Sequence, residues 1–223
     1  MRSSRFLFWS ISIIPLCLNG LVHADDSPPP APDAPHYFTL SISLAPALCQ
    51  LHPERREMRQ CQEGYSLIVH GLAPEREDGK AAENCSKSSP ELSPVQERVL
   101  ERLMPDDPLR VNEWQRHGSC TGMSAQDYFR AIMAYTNKLK LPGQLNKEGR
   151  DQVLDRNLLM TEIMRMNNGL PIKGIYLRCT RKDSETPLLT EVRVCYKPNG
   201  QFTECINTFR PNCPTTITIR AVP

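Results

Sequence analysis

Alternating hydrophobic and polar positions predict strands near both ends of the chain. Residues 38–44 are apolar at every second position, as in a strand with one buried face. The apolar run 65–69, bounded by glycines, predicts a central strand with His70 at its end. Three later segments rich in β-branched residues are also strand-like: 172–179, 188–197 and 215–219.

Helical spacing predicts three helices between these strand regions. Ser93 and Pro94 supply an N-cap and a first-turn proline for a helix that ends before Pro105. Residues 124–127 resemble a capping box and open a second helix, and a third is predicted over residues 156–166. Strands followed by helices and again by strands indicate an α+β domain, with a mainly antiparallel central sheet and flanking helices.

The first 35 residues differ in character from the rest. Residues 1–24 combine Arg2 and Arg5 with an apolar stretch and a small-residue cleavage pattern, which predicts a signal peptide. An uncleaved membrane anchor is the alternative, but the apolar stretch is short for a membrane span. Residues 25–35 form a proline-rich spacer. We therefore expect one domain over residues 36–223, a periplasmic or secreted monomer without stable membrane association.

The charge balance limits how the protein can recognise a polyanion. The 223 residues include 27 Lys+Arg and 25 Asp+Glu. Removal of Arg2 and Arg5 with the signal peptide leaves 25 of each (27 − 2 = 25). This balance excludes a protein that binds nucleic acid by bulk positive charge, so any such binding must use a local patch.

Cysteine usage predicts a disulfide framework. Of nine cysteines, Cys17 lies in the signal peptide and eight remain (9 − 1 = 8), an even number in an exported chain. The hairpin signal Asn199-Gly200 brings Cys195 nearly opposite Cys205, so we pair these two. Cys179 and Cys213 flank the hairpin and can pair outside it, while counting alone fixes no other bridge. A zinc site would need C-x-x-C pairs, which the sequence lacks, and we expect no metal or other cofactor.

Two His-Gly segments are the candidates for chemistry. One is His70-Gly71, and the other, residues 113–120, places Glu113, Trp114, Arg116 and His117 within five positions. In a helix Glu113 and His117 would face the same way. Each feature alone has an ordinary structural explanation: a turn for His-Gly, a solvated ion pair for the charges, and the core for the tryptophan. The remaining histidines of the mature chain, His36 and His52, lack such surroundings and are interpreted as structural.

Together the two segments resemble the ribonuclease T2 family. That family carries the motifs I-H-G-L-W-P-D and E-W-x-K-H-G-T-C, which stand here as residues 69–75 and 113–120. Residues 38–49 look like the first strand of the family and residues 189–192 like its late strand. The resemblance covers most of the predicted domain and suggests the bacterial, exported ribonuclease I branch.

The resemblance implies a function and a set of site residues. It implies a metal-independent endoribonuclease for single-stranded RNA, with His117 as general base, His70 as general acid, and Glu113 and Arg116 at the phosphate. RNA supplies its own nucleophile, the 2′-OH, and imidazoles with pKa values near 6.5 suit both proton transfers. The products would be 2′,3′-cyclic phosphates and then 3′-phosphates, and DNA would not be cleaved. Lesser substrate-binding roles are implied for two residues, Trp114 and Glu75.

The resemblance also implies the other disulfides, and the sequence departs from the family pattern at three positions. The implied bridges are Cys49–Cys61, Cys85–Cys120 and Cys179–Cys213. Ala73 replaces a tryptophan that stacks on a base, which predicts low base specificity. Arg116 replaces lysine, and Asn112 stands where many members have a further histidine.

Two other interpretations stay open, and Ala73 together with the neutral charge balance favours the first of them. The first is a non-catalytic T2-like protein that binds RNA or another partner. The second is a disulfide-rich structural module with no role in RNA chemistry.

Overall fold

A computed structural model describes residues 34–78, 82–146, 148–181, 186–206 and 212–222. The predicted signal peptide (1–24) and most of the predicted spacer (25–35) lie outside the described residues. Among the residues described, no helix has both the length and the apolar character needed to cross a membrane.

The described residues form a single sheet with helices around it. The strands are β1 (Tyr37–Leu44), β2 (Leu67–Glu75), β3 (Gln152–Asp155), β4 (Ile175–Thr180), β5 (Leu188–Tyr196) and β6 (Thr216–Ile219). The helices are α1 (Ala45–Leu51), α2 (Arg59–Gln62), α3 (Pro94–Leu100), α4 (Asp107–Arg116), α5 (Ala125–Lys138) and α6 (Arg156–Met166). This is the predicted α+β class.

The sheet has the strand order β2-β1-β5-β6-β3, and β4 also pairs with β5. All pairings are antiparallel except the contact between β5 and β6, which is parallel and makes the sheet mixed. The strand around residue 68, predicted to be central, is therefore an edge strand. Its apolar side chains Val69 and Leu72 are nevertheless buried in the main hydrophobic core, and its outer edge is covered, as described below for Glu113.

Capping chemistry accounts for the helix starts. The Ser93 hydroxyl accepts from the backbone nitrogen of Gln96 and completes a capping box at α3. Ser124 accepts from the backbone nitrogen of Asp127 at α5, and Asp155 caps α6, whose bounds agree with the prediction. The apolar spacing in α3 was less informative, because Val95 and Val99 are exposed and only Leu100 is buried.

The two faces of the sheet differ in chemistry. One face of β1 presents Phe38, Leu40, Ile42 and Leu44, which join α5 and α6 in the main hydrophobic core. On the opposite face the three strands β1, β2 and β5 present mostly small or polar side chains. We call this the polar sheet face; it comprises Thr39, Ser41, Ser43, Gly71, Ala73, Glu191 and Arg193.

Four disulfides join the pairs named above: Cys49–Cys61, Cys85–Cys120, Cys179–Cys213 and Cys195–Cys205. The predicted turn at Asn199-Gly200 is present, with Gly200 at φ 78°, a conformation that favours glycine. The returning chain forms only an isolated bridge, between Phe202 and Tyr196, in place of a full second strand. The loop is instead closed by the Cys195–Cys205 bond.

Candidate active site

His70 occupies an irregularity in strand β2. The pairing with β1 shifts between Ser41, which lies opposite Gly71, and Ile42, which lies opposite Val69. His70 is therefore the extra residue of a β-bulge, a feature that locally redirects side chains. The sequence predicted His70 at a strand end, whereas the strand continues to Glu75.

Helix α4 brings Glu113 to the outer edge of the same strand. The backbone nitrogen of Leu72 donates to Glu113 Oε1 at 2.7 Å, and the Tyr128 hydroxyl lies 2.8 Å from the same oxygen. That hydroxyl also lies 2.8 Å from the Leu72 carbonyl oxygen. Glu113 is only 2% exposed. It therefore joins α4, α5 and β2 at one buried point beside His70.

Burial dominates the protonation of Glu113. It raises the pKa of this carboxyl to about 7, although the hydrogen bonds from Tyr128 and the Leu72 nitrogen oppose the rise. Burial likewise raises the pKa of the Tyr128 hydroxyl well above its usual value. Near neutral pH, Glu113 is thus poised between its neutral and charged forms.

Both His-Gly pairs have a steric reason for the glycine. A Cβ atom on Gly71 would lie 2.0 Å from the carboxyl carbon of Glu113. A Cβ atom on Gly118 would lie 2.6 Å from Trp114 Cε3 and 2.7 Å from the Tyr128 ring. Each glycine therefore permits a close approach that brings α4 against β2 and α5.

His117 lies just beyond the end of α4. It is the C-cap residue, with φ −126° and ψ −51°, and its backbone nitrogen donates to the Glu113 carbonyl at 2.9 Å. Three residues later Cys120 is bonded to Cys85, and the Asn84 nitrogen donates to the Arg116 carbonyl at 2.8 Å. His117 is thus held by the helix end and by the segment around Cys85, and not by continued helical geometry.

Both imidazoles are partly buried and have lowered pKa values. For His70 burial is the largest cause; Glu191 opposes it, and Arg193 adds to the lowering. For His117 burial again comes first, followed by the charge of Arg116. The charge of His70 also lowers the pKa of His117, so the two rings lie within electrostatic reach of each other. The lowered pKa values favour the neutral form of both imidazoles at neutral pH.

The predicted phosphate-binding cation already has a partner. Arg116 Nη2 lies 3.1 and 3.2 Å from the two carboxylate oxygens of Glu83. The Arg116 side chain is 49% exposed, so this pair is well solvated. A phosphate that binds Arg116 would therefore compete with Glu83.

Trp114 and Glu75, the two residues given lesser roles, are both packed against the protein. The Trp114 ring is partly buried, with its centroid 6.0 Å from that of Tyr128. Glu75 is 5% exposed and accepts a hydrogen bond from the Thr39 hydroxyl at 3.2 Å. Burial raises the pKa of Glu75 to about 6. The geometry gives Trp114 a packing role between α4 and α5, and holds Glu75 against Thr39 of the polar sheet face.

Comparison with known proteins assigns the family. The model of the ribonuclease T2 family matches residues 35–205. The chain belongs to the ribonuclease T2 family. The match contains both His-Gly segments and all the candidate site residues described above.

Relatives within the T2 family include bacterial proteins. The chain is 28% identical over 182 residues to a Haemophilus influenzae protein named "Probable ribonuclease", covering 76% of this chain and 60% of the relative. It is 29% identical over 110 residues to a "Ribonuclease" of Aeromonas hydrophila, covering 49% of each. The chain therefore spans about half to three fifths of the length of these relatives.

The T2 fold is also found among solved structures. Ribonuclease MC1 from the seeds of bitter gourd superposes with a TM-score of 0.64 at 19% identity, covering 81% of this chain and 98% of that one. Japanese pear S3-RNase superposes with a TM-score of 0.61 at 22% identity, covering 81% and 98%. At these identities the likeness establishes the fold alone.

Sequence reasoning missed several residues of this T2-family site. The helical spacing of Tyr128 is that of a core residue and gives no sign that its hydroxyl reaches Glu113. Glu83 is remote in sequence from Arg116, and no motif links them. Glu191 and Arg193 alternate on β5, which could have placed them on one face, but only the strand order brings that face near His70.

Proposed function

We propose that this member of the ribonuclease T2 family is a metal-independent endoribonuclease that cleaves single-stranded RNA. The single observation that carries the proposal is the buried Glu113 carboxyl, which holds the strand of His70 and the helix that ends at His117 together. Two histidines within electrostatic reach of each other can serve as base and acid in one reaction. The ribonuclease names of the bacterial relatives agree with this activity.

The proposed reaction begins with the 2′-OH of the RNA. His117 takes the hydroxyl proton while the 2′-oxygen attacks the adjacent phosphorus. As the P–O5′ bond breaks, His70 gives a proton to the leaving 5′-oxygen, and a 2′,3′-cyclic phosphate forms. In a second step water attacks the cyclic phosphate with the two roles exchanged, which yields a 3′-phosphate. Because RNA provides the first nucleophile and a histidine activates the water of the second step, no metal-activated water is required.

Positive charge must balance the developing charge on the phosphorus oxygens. We assign this role to Arg116, which would exchange Glu83 for the substrate phosphate. A neutral Glu113 would add no repulsion to the phosphate, and its raised pKa allows that form near neutral pH. Ala73 offers no ring for stacking, which supports low base specificity.

The remaining parts of the proposal concern the whole protein. We propose one catalytic domain over residues 36–223, preceded by a removable signal peptide (1–24) and a spacer (25–35). The protein would be an exported monomer, periplasmic or secreted, which suits its four disulfides. RNA would be its partner, and DNA would not be cleaved.

A second candidate function is a T2-like protein that binds RNA without useful turnover. The Arg116–Glu83 pair favours it, because the predicted phosphate-binding cation is neutralised in the free protein. The decisive experiment incubates purified mature protein with RNA and with DNA of the same sequence, in the presence of a chelator. Cyclic phosphate ends on RNA alone support the enzyme; RNA binding without cleavage supports the second candidate.

A further inference from the structure

Arg193 lies in a row that crosses three strands of the polar sheet face. It stands opposite Ser41 of β1, and Ser41 stands opposite Gly71 of β2. Neighbouring strands lie about 4.8 Å apart, so the backbone of Arg193 is roughly 10 Å from that of Gly71. Between them are only a small serine, which is partly exposed, and a glycine without a side chain. The long side chain of Arg193, which is 18% exposed, therefore lies on the same sheet face as Ser41 and Gly71.

A buried carboxylate holds Arg193. Its Nε donates to Glu191 Oε2 at 2.9 Å, and the two side chains are 18% and 11% exposed. Arg178 Nε lies 3.8 Å from the same oxygen, but its side chain is 52% exposed. Two guanidinium groups thus share one carboxylate oxygen, and Arg193 makes the closer contact. Because the pair is largely buried, the charge of Arg193 is less screened than that of an exposed arginine.

Electrostatic effects connect Arg193 with the ionisable groups of the site. After burial and the opposing effect of Glu191, Arg193 contributes to the lowered pKa of His70. Behind burial and the Thr39 hydrogen bond, it also acts to lower the pKa of Glu75. The charges that shift the pKa of His117 are instead those of Arg116, Glu83 and His70. Arg193 thus acts on His70 and on Glu75.

We propose that Arg193 binds a substrate phosphate next to the scissile one. This inference rests on the proposed function, in which the scissile phosphate lies between His70 and His117. A single strand carries a phosphate at every nucleotide, so the backbone that continues past His70 brings the next phosphate over Ser41 to Arg193. A planar guanidinium suits the oxygens of such a phosphate. The site then binds RNA at two successive phosphates, one through Arg116 and the next through Arg193.

The test compares Arg193→Gln with Arg178→Gln, a matched control that removes the same charge from the same carboxylate. One substrate is a dinucleoside monophosphate, which has only the scissile phosphate; the other is a pentanucleotide with phosphates on both sides. Arg193→Gln should raise KM for the pentanucleotide about tenfold, the loss of one charged hydrogen bond. The substitution should also reduce the slope of log K against log salt concentration by about 0.7, the value for one phosphate contact on a single strand.

The control and the short substrate decide the outcome. The effect of Arg193→Gln on the dinucleotide should be at least about fivefold smaller than on the pentanucleotide, and Arg178→Gln should shift the two substrates equally and less. Equal effects of the two variants on the pentanucleotide would overturn the proposal. So would an Arg193→Gln effect that is the same on both substrates.

Two further measurements separate this proposal from folding and from catalysis. Thermal unfolding checks each variant, and Arg193→Lys keeps the charge without the planar group, so it should raise the pentanucleotide KM less than Arg193→Gln does. Binding of the 2′-deoxy pentanucleotide is measured by titration, because it requires no cleavage. Arg193→Gln should weaken it about tenfold even if the wild-type protein cleaves no RNA. Unchanged binding of this analogue would overturn the proposal for Arg193 without overturning the proposed function.

Discussion

Glu113 Oε1 accepts a hydrogen bond from the outward-facing backbone nitrogen of Leu72 at 2.7 Å. β2 is an edge strand, and its other outward nitrogen at Val69 donates to the Leu103 carbonyl at 2.8 Å. The carboxyl proposed for the active site therefore also satisfies a donor of the sheet edge. This double role makes Glu113 the residue whose ionisation should affect stability and activity together.

Stability should fall as pH rises through the titration of Glu113. The unfolded carboxyl titrates near about 4.3, whereas in the folded protein its pKa is about 7. The folded state binds more protons between these values, so ionisation costs up to about 4 kcal/mol by pH 8. Glu113→Gln should remove most of this slope in urea unfolding measured from pH 5 to 8. The exposed Glu97→Gln is the control, and an unchanged slope in Glu113→Gln would contradict the assignment.

Removal of either imidazole should abolish most RNA cleavage. His70→Ala and His117→Ala should each lose about 10²- to 10⁴-fold in kcat, because each removes one proton transfer. His52→Ala is the control, since His52 contacts Glu54 near the surface. Initial rates on a defined oligonucleotide, with thermal unfolding of each variant, provide the measurement. Near-normal cleavage by either site variant would refute its role, and cleavage of DNA would refute the mechanism.

The pH optimum of kcat/KM should lie on the acidic side of neutrality. Burial lowers the pKa of both His70 and His117 below the usual 6.5. One must be protonated and the other neutral, so kcat/KM should peak below about pH 6.5. Bound phosphate favours the charged imidazole, and the kcat profile should therefore move to higher pH. A kcat/KM that rises to a plateau above pH 8 would be inconsistent with two imidazoles in these environments.

Gly71→Ala should damage the site through sterics alone. The added Cβ would lie 2.0 Å from the Glu113 carboxyl carbon, which must move away from Leu72 and Tyr128. Overpacking of this kind costs about 1–3 kcal/mol. Gly143→Ala makes no contact within 4 Å and is the matched control. The free energy of unfolding, measured with denaturant, and kcat should both fall in Gly71→Ala and stay unchanged in Gly143→Ala. Full activity of Gly71→Ala would show that Glu113 need not hold its present position.

Glu83→Gln should improve substrate binding. The change releases Arg116 from its carboxylate partner and leaves it available for phosphate. Because the pair is solvated, its strength is under about 1 kcal/mol, and KM should fall about two- to fivefold. Steady-state kinetics at low salt would show the change, and Glu97→Gln should leave KM unaltered. An increase in KM would mean that Glu83 orients Arg116 for the substrate.

Sequence patterns predicted most regular elements because local chemistry determines them. Ser93, Ser124 and the 156–166 periodicity each mark a helix that the structure contains. The sequence pattern does not predict β3, because Gln152–Asp155 is short and its Val153 is 64% exposed. The bulge at His70 was also invisible, since it arises from the register between two strands that are distant in sequence.

The site was predictable only in part, for a related reason. His70, Glu113 and His117 stand in motifs, and Glu113 and His117 lie in one short segment. Contacts that depend on tertiary packing, such as those of Tyr128 with Glu113 and of Glu83 with Arg116, leave no local pattern. The same holds for Arg193, whose position relative to His70 follows from strand order.

The Cys85–Cys120 bond sets when the site can be completed. One cysteine lies two residues from Glu83 and the other three residues from His117, so a single covalent link ties both partners of the local charge network to the base. In the reducing environment of a cytosol this link stays open. A newly made chain would then lack the final tie of its active site until it met an oxidant. In the proposed ribonuclease, this need for oxidation would keep the protein inactive in the cytosol and so protect the RNA of the cell that makes it.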